Sequence, residues 1–170
     1  ITGVEFIAIN SDFQDLQKSK SKRVIQIGKN IAKGLGVGGD PSLGSECAKA
    51  DQNEITDALQ GADMVFITAG MGGGTGTGAS PVVAKLARDA GALTIAIVTK
   101  PFEFEANKRI TQADSGINDL TKEVDSIIVI PNDRLKEVQQ ISGIADSFKA
   151  ADSVLTKAVR GISDIIVGSG

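Results

Sequence analysis

The chain of 170 residues has no histidine, tryptophan or tyrosine, and only one cysteine. A single cysteine, Cys47, excludes an internal disulfide and is typical of a reducing compartment. Zinc sites and Ser-His or Cys-His catalysis are excluded too, because their ligands and bases are missing. No apolar run approaches the roughly 20 residues that span a bilayer, and no signal peptide opens the chain. We therefore expect a cytoplasmic protein without direct membrane insertion.

The charge is weakly acidic, with 18 basic and 21 acidic residues and a net charge of −3. The only basic cluster, residues 18–23, is interpreted as a solvated loop, so no nucleic-acid partner is expected. Hydrophobic residues make up 41% of the chain and charged residues 23%, as in ordinary globular proteins. The length predicts one domain over residues 1–170, with a core of useful size.

Four short apolar runs predict parallel strands that are covered on both faces. They are residues 4–9, 63–69, 93–98 and 126–130. Helical periodicity separates and follows them at residues 24–35, 48–59, 81–90, 105–122 and 147–162. Strands alternating with helices predict an α/β fold with a doubly wound, mostly parallel, Rossmann-like sheet, whose ligands bind beyond the carboxyl ends of the strands.

Glycine and polar residues follow each predicted strand. Residues 10–12 read Asn-Ser-Asp, residues 70–78 are glycine-rich, and residues 99–105 and 131–134 carry charged groups. A second glycine-rich turn lies at residues 34–41. Turns favour Gly, Asn and Asp in any protein, which would explain one such segment but not the set. The set predicts a phosphorylated ligand, accompanied by a hydrated cation.

The strongest feature is the segment 70–78, in which six of nine residues are glycine. Glycine permits positive φ and close backbone approach. A strand, a glycine loop and a helix in succession bring N–H groups and a positive helix end together, which suits phosphate.

Three common nucleotide motifs do not fit this segment. The Walker A pattern is absent, because the only Gly-Lys pair is followed by asparagine. The dinucleotide pattern can be placed on Gly74, Gly76 and Ala79, but the next strand ends in Thr-Lys rather than an acidic residue. The guanine motif Asn-Lys-x-Asp of Ras-like proteins is imitated at residues 107–110 without its aspartate.

The run Gly72-Gly73-Gly74-Thr75-Gly76-Thr77-Gly78 resembles the GGGTGTG loop of the tubulin superfamily, and its context resembles the FtsZ family of cell-division GTPases. The resemblance extends through residues 4–12, 34–36, 61–66, 98–102, 130–134 and 160–164. It implies the three-layer tubulin/FtsZ GTPase fold and a protein that binds GTP/GDP with Mg²⁺, hydrolyses GTP and polymerises head to tail into division-ring filaments. Alternatives are a tubulin-like filament protein for plasmid positioning or cell shape and, remotely, an NAD-dependent oxidoreductase.

The resemblance also implies a role for individual residues. The α- and β-phosphates would be held by the loop residues Gly72, Gly73, Gly74, Thr75, Gly76, Thr77 and Gly78, and the γ-phosphate by Gly38 and Gly39 of the second turn. Glu105 and Arg109 would contact the ribose and phosphate. Phe148 and Asp152 would bind the guanine, and Asn132 would lie near the base or sugar. Asn10 and Asp12 would lie near the metal, through water.

Some of these residues have plainer interpretations. Glu105 and Arg109, four apart, would otherwise form an exposed helical ion pair. Phe148 would be a core residue and Asp152 a surface one. Val37 and Asp40 stand where relatives often have Ala and Asn, a mild departure.

The resemblance further implies that parts of the family's domain lie off both ends of these residues. A first strand, between those at 4–9 and 63–69, and a first phosphate loop would precede residue 1; the loop with the water-activating Asp would follow residue 170. We therefore expect no catalytic residue within 1–170 and hydrolysis completed by the adjacent subunit. With two inner strand edges unpaired, this segment alone should be marginally stable, bind GTP poorly and be inactive. The resemblance also implies that division adaptors bind a C-terminal tail outside residues 1–170. It implies a location at the cytoplasmic division site or in the plastid stroma.

Overall fold

The computed structural model describes residues 4–133, and the predicted helix at 147–162 lies outside them. Strands and helices alternate along this range, so the predicted α/β class is confirmed. The elements are β1 Ile7–Asn10, α1 Phe13–Gln17, β2 Arg23–Gln26, α2 Lys29–Ala32, α3 Pro41–Ala50, α4 Gln52–Leu59, β3 Met64–Gly70, α5 Thr75–Asp89, β4 Leu93–Lys100, α6 Asn107–Thr121 and β5 Ser126–Pro131.

All strand pairs of the described residues are parallel, and they form two sheets. One sheet holds β1 and β2, and the other has the order β3-β4-β5. The register pairs Gly70 with Thr99 and Lys100 with Pro131, so the carboxyl ends of β3, β4 and β5 share one edge. Within residues 4–133, β1 and β3 each have a strand partner on one side only, as expected from the sequence.

The prediction of a single helix at residues 24–35 is wrong. The segment forms β2 and then the four-residue helix α2. Of the periodic apolar residues, Val24, Ile31 and Leu35 are 46%, 40% and 82% exposed, so the spacing does not mark a buried helical face. The buried residues are instead Ile25 and Ile27, which alternate as in a strand.

Gly28 ends this strand segment with a φ of +65°. Its N–H donates to Oδ2 of Asp51 at 2.6 Å, and a Cβ at this position would overlap Sγ of Cys47. Burial, with the carboxylates of Asp51 and Glu46, raises the pKa of the Cys47 thiol, which therefore packs as a small apolar group. Only glycine fits here, and that is why a helix does not run through residue 28.

Two further helix boundaries differ from the prediction. The helix predicted at 48–59 is two helices: α3 begins seven residues earlier, at Pro41, and a break at Asp51 separates it from α4. Asp40 caps α3, since its Oδ1 accepts from Ser42 N at 2.9 Å, and proline suits the first helical position. The helix predicted at 81–90 also begins earlier, at Thr75, so that Pro81 lies inside α5 rather than at its start.

Glycines allow α3 and α5 to approach each other closely. A Cβ at Gly44 of α3 would overlap the carbonyl oxygen of Gly74, at the start of α5. A Cβ at Gly78 of α5 would overlap the carbonyl oxygen of Pro41, at the start of α3. The amino-terminal ends of the two helices therefore meet backbone to backbone, beside the carboxyl end of β3.

The core beneath this contact is built from small and branched residues. Its fully buried members include Ala84 and Ala87 of α5, Ala96 and Val98 of β4, and Leu120 of α6. Alanines on α5 let that helix lie close to its neighbours, while α6 contributes Ala113 and Leu120 as predicted. Within the described residues, no helix combines the length and the apolar character needed to cross a membrane.

Gly78→Ala should lower the free energy of unfolding by about 1–3 kcal/mol, the usual cost of overpacking. The sign is informative, because Gly→Ala in an uncrowded helix stabilises by about 1 kcal/mol. Lys85→Ala, on the exposed side of the same helix, is the control and should change stability by less than about 0.5 kcal/mol. Urea unfolding of the full-length protein measures both. Equal stability of the two variants would contradict the close helix contact.

Candidate functional site

The amino-terminal end of α5 has no side-chain cap. After β3 the chain turns at residues 71–74, and α5 begins at Thr75 with Gly74 as its N-cap and no side-chain cap. Within residues 4–133, the N–H groups of residues 73–77 donate no hydrogen bond. These donors share one end of a 15-residue helix with the positive end of its dipole, equivalent to about half an elementary charge. The predicted strand–glycine loop–helix unit is present, and its chemistry suits an anion.

Gly72 is the tightest point of this turn. Its φ is +118°, and a Cβ there would lie 2.6 Å from Cγ of Pro101 and 3.1 Å from the carbonyl oxygen of Arg109. Its N–H donates to Oγ1 of Thr77 at 2.8 Å. The side chain of Thr77 is buried, and its hydroxyl oxygen fixes the turn by accepting this hydrogen bond.

The second glycine turn lies directly against the first. A Cβ at Gly74 would overlap Cγ2 of Val37 and lie 2.8 Å from Asp40 N. Gly38 and Gly39 have φ of +62° and +77°, and no atom lies within 4 Å of a Cβ built on either of them. Their positive φ explains the glycines, and their exposed backbone faces open space beside the start of α5.

Arg109 adds a positive charge to the same place. A Cβ built on Gly73 would lie 3.6 Å from Nη2 of Arg109, so the guanidinium covers this glycine. Its Nη1 donates to Oε1 of Glu105 at 3.1 Å. The predicted pair is therefore present, but Glu105 precedes α6 instead of lying on it. Oε2 of Glu105 also accepts from Phe102 N at 2.7 Å, so the carboxylate orients both the arginine and the turn after β4.

The residues after β1 reach α5 through Ser11. This buried serine lies 2.8 Å, Oγ to Oγ1, from Thr75, the first residue of α5. Its neighbours make local contacts: Oδ1 of Asn10 accepts from Asp12 N at 3.1 Å, and Oδ1 of Asp12 accepts from Gln14 N and Asp15 N to cap α1.

A magnesium ion fits this corner only with water and ligand oxygens. Within residues 4–133, no group of three or more Asp, Glu, His or Cys side chains could hold a metal ion. Asp12 keeps Oδ2 outside its cap, and Mg²⁺ commonly binds through one or two carboxylates, water and phosphate. The donor set is therefore compatible with water-mediated contact from Asn10 and Asp12.

Asn132 lies farther along the edge, at the end of β5. Its N–H donates to the carbonyl oxygen of Lys100 at 3.2 Å, and two strand spacings, about 10 Å, separate β5 from β3. The side chain is buried, and its Oδ1 accepts no hydrogen bond from the described residues. A buried amide oxygen without a donor is costly and suits a ligand contact. Phe148 and Asp152 lie outside the described residues.

Three residues to which the sequence assigned no role at the site hold its turns together: Ser11, Asp40 and Gln112. Asp40 could have been found, because aspartate before proline is a helix-start signature. Nε2 of Gln112 donates to the carbonyl oxygens of Gly39, at 3.2 Å, and Gly72, at 2.9 Å. Its only sequence signal is its place three residues after Arg109 on α6.

The chain resembles proteins of known family. The model of the Tubulin/FtsZ family, GTPase domain, matches residues 2–140. Cell division protein FtsZ 1 of Pyrococcus horikoshii is 51% identical over all 170 residues, which are 46% of that protein. The structure "FtsZ dimer, empty" of M. jannaschii has a TM-score of 0.93 and 46% identity, over 95% of this chain and 47% of that one.

More distant is CetZ2 of Haloferax volcanii, solved as a GTPgS-bound protofilament, with a TM-score of 0.80 and 28% identity over 90% of this chain and 47% of that one. The chain therefore spans about half the length of the relatives that it matches.

Thr77→Val should loosen the glycine turn, because it keeps the shape of the side chain and removes the acceptor of the buried Gly72 N–H. An unsatisfied buried donor costs about 1–3 kcal/mol in the free energy of unfolding. Thr111→Val makes the same change on the exposed side of α6 and should cost less than about 0.5 kcal/mol. Urea unfolding of the full-length variants compares them. If Thr77→Val costs no more than its control, the hydroxyl does not hold the turn.

Proposed function

The chain belongs to the Tubulin/FtsZ family, GTPase domain, and we propose that it binds GTP and GDP and, in a head-to-tail polymer, hydrolyses GTP for cell division. Self-association is supported by the dimer and protofilament structures that the chain resembles. Because the chain spans about half of these relatives, the activity is proposed for the full-length protein.

One observation carries the proposal: the start of α5 has no side-chain cap and lies between the second glycine turn and Arg109. The N–H groups of residues 73–77 would bind the α- and β-phosphates, with the hydroxyl of Thr75 beside them. The turn at Gly38 and Gly39 would meet the γ-phosphate. A row of donors at a helix start, with one guanidinium beside it, is complementary in sign to the phosphates of a nucleotide.

The nucleoside would extend from the phosphates along the edge of the sheet. Glu105 and Arg109 would contact the ribose and the first phosphate, and Asn132, whose Oδ1 has no donor among the described residues, would meet the base or sugar. Phe148 and Asp152 are proposed from the sequence alone. They lie four positions apart on a predicted helix. Phe148 would stack on the guanine, and Asp152 would accept hydrogen bonds from its N1–H and N2–H₂ groups.

Magnesium would bind on the other side of the phosphates. Asn10 and Asp12 would hold its water ligands, at the end of β1 that Ser11 ties to α5. The ion would neutralise charge that develops on the phosphates. Backbone donors of the glycine loop would stabilise the same charge in the transition state.

The catalytic step would be completed between subunits. We expect no catalytic residue within residues 1–170, so a loop of the adjacent subunit would position the attacking water. Division adaptor proteins would bind a C-terminal tail, and filaments would assemble at the division site of the cytoplasm or a plastid stroma. A tubulin-like filament protein for plasmid positioning or cell shape remains an alternative.

The ligand class can be tested by competition on the full-length protein. Radiolabelled GTP should be displaced by unlabelled GTP and GDP but not by an excess of ATP or NAD, because the phosphate site serves all nucleotides and the base site selects guanine. Heat-denatured protein controls for adsorption to the filter. Displacement by NAD would favour the dinucleotide interpretation and overturn the proposal.

Base recognition can be tested at Asp152. Asp152→Ala should weaken GTP binding about tenfold or more, since two hydrogen bonds from guanine lose a charged acceptor, while the weak binding of ATP stays unchanged. Asp146→Ala, an aspartate of the same segment without a proposed contact, is the control. Equal loss of GTP and ATP binding would refute Asp152 as the residue that recognises guanine.

A further inference from the structure

We propose that Gln112 is a positioning residue that holds the two glycine turns at the spacing needed for a nucleoside triphosphate. The proposal rests on the function proposed above. It concerns the preference of the site for a third phosphate, and Gln112 itself would touch no nucleotide.

The side-chain amide of Gln112 joins two turns that are distant in sequence. Its Nε2 donates to the carbonyl oxygen of Gly72 at 2.9 Å and to that of Gly39 at 3.2 Å. A glutamine amide has two N–H donors, so both bonds can form at once. The side chain comes from α6, a 15-residue helix that packs on α5, and is therefore held by a rigid element.

The two bonds also orient the backbone of the turns. In a trans peptide the C=O of one residue and the N–H of the next point in opposite directions. With its carbonyl turned to Gln112, Gly72 directs the N–H of Gly73 away from α6. Gly39 likewise directs the N–H of Asp40 away, and this group donates to the carbonyl oxygen of Val37 at 3.2 Å to close the turn.

The second turn is anchored on its inner side, where Val37 is buried in the core and Asp40 caps α3, and its outer end at Gly38 and Gly39 is exposed. Gly38 and Gly39 have open space around their Cβ positions, and glycine keeps the backbone free to move. On its inner side the turn touches Gly74 through Val37 and Asp40. Gln112 is the side chain that, within the described residues, hydrogen-bonds to both turns, and it ties the free outer end of the second one.

This arrangement predicts different effects of Gln112 on the affinities for GTP and GDP. GDP would use the start of α5 and the first turn, whereas GTP would use both turns. A side chain that sets the distance between the turns therefore contributes to the binding of GTP and little to that of GDP. A residue with a merely structural role would change both affinities, or the stability, alike.

The test compares GTP and GDP affinities of the full-length protein and its variants by equilibrium binding. Gln112→Met keeps the length of the side chain and removes both donors, so we expect about a tenfold loss for GTP and less than about a threefold loss for GDP. Gln112→Asn keeps an amide that is one methylene too short to bridge the turns and should show an intermediate loss. Asn118→Leu removes an exposed amide from the same helix and should leave both affinities unchanged.

Hydrogen exchange provides a readout that does not depend on affinity. In Gln112→Met, the hydrogen-bonded amides of Asp40 and Gly72 should exchange faster, while those of β4 stay protected. An unchanged ratio of GTP to GDP affinity in both Gln112 variants would overturn the positioning role while leaving the proposed function intact. Failure of the unsubstituted protein to bind either nucleotide would overturn both proposals.

Discussion

The close approach of α3 and α5 is the constraint on which the site depends. Gly44, Gly74 and Gly78 let the two helices begin side by side, because any side chain at these positions would collide with backbone of the other helix or of the adjoining turn. This contact brings together turns that lie more than thirty residues apart in sequence. Gly44, Gly74 and Gly78 therefore serve packing, whereas Gly38 and Gly39 have open space at their Cβ positions.

Two positive helix ends side by side would repel each other if both were left open. Asp40 resolves this for α3, since its carboxylate binds the first turn of that helix. The start of α5 has no such cap, so one anion site remains, and Arg109 adds to its positive charge. Glu105 pairs with Arg109, and this ion pair holds the guanidinium beside Gly73. The carboxylate also reduces the net positive charge at this place. The asymmetry of the two caps favours an anion at the start of α5 over the start of α3.

The sequence predicted the α/β class, the main strands, and the glycine turn between β3 and α5, because apolar runs and glycine runs are local signals. It misassigned β2, since apolar residues at 24, 27, 31 and 35 imitate a helix although Leu35 is 82% exposed. It also placed the start of α5 at Pro81, because a string of glycines hides the first turn of a helix. Ser11 and Gln112 could not have been identified, because their partners Thr75, Gly39 and Gly72 are set by tertiary packing. The roles of Phe148 and Asp152 still rest on the family resemblance.

The contact between β1–β2 and α5 has a consequence for the opening of the described residues. No ladder of backbone hydrogen bonds joins β1–β2 to β3–β5 within residues 4–133; the contact between them is apolar packing and the bond from Ser11 to Thr75. Cooperative units of unfolding follow continuous ladders and dense packing. Within the described residues, β3, β4 and β5 are joined by a continuous ladder and packed by α5 and α6, so we expect these elements to open together. The bond from Ser11 to Thr75 lies at the start of α5, so a ligand bound there would couple the opening of β1–β2 to that of β3–β5.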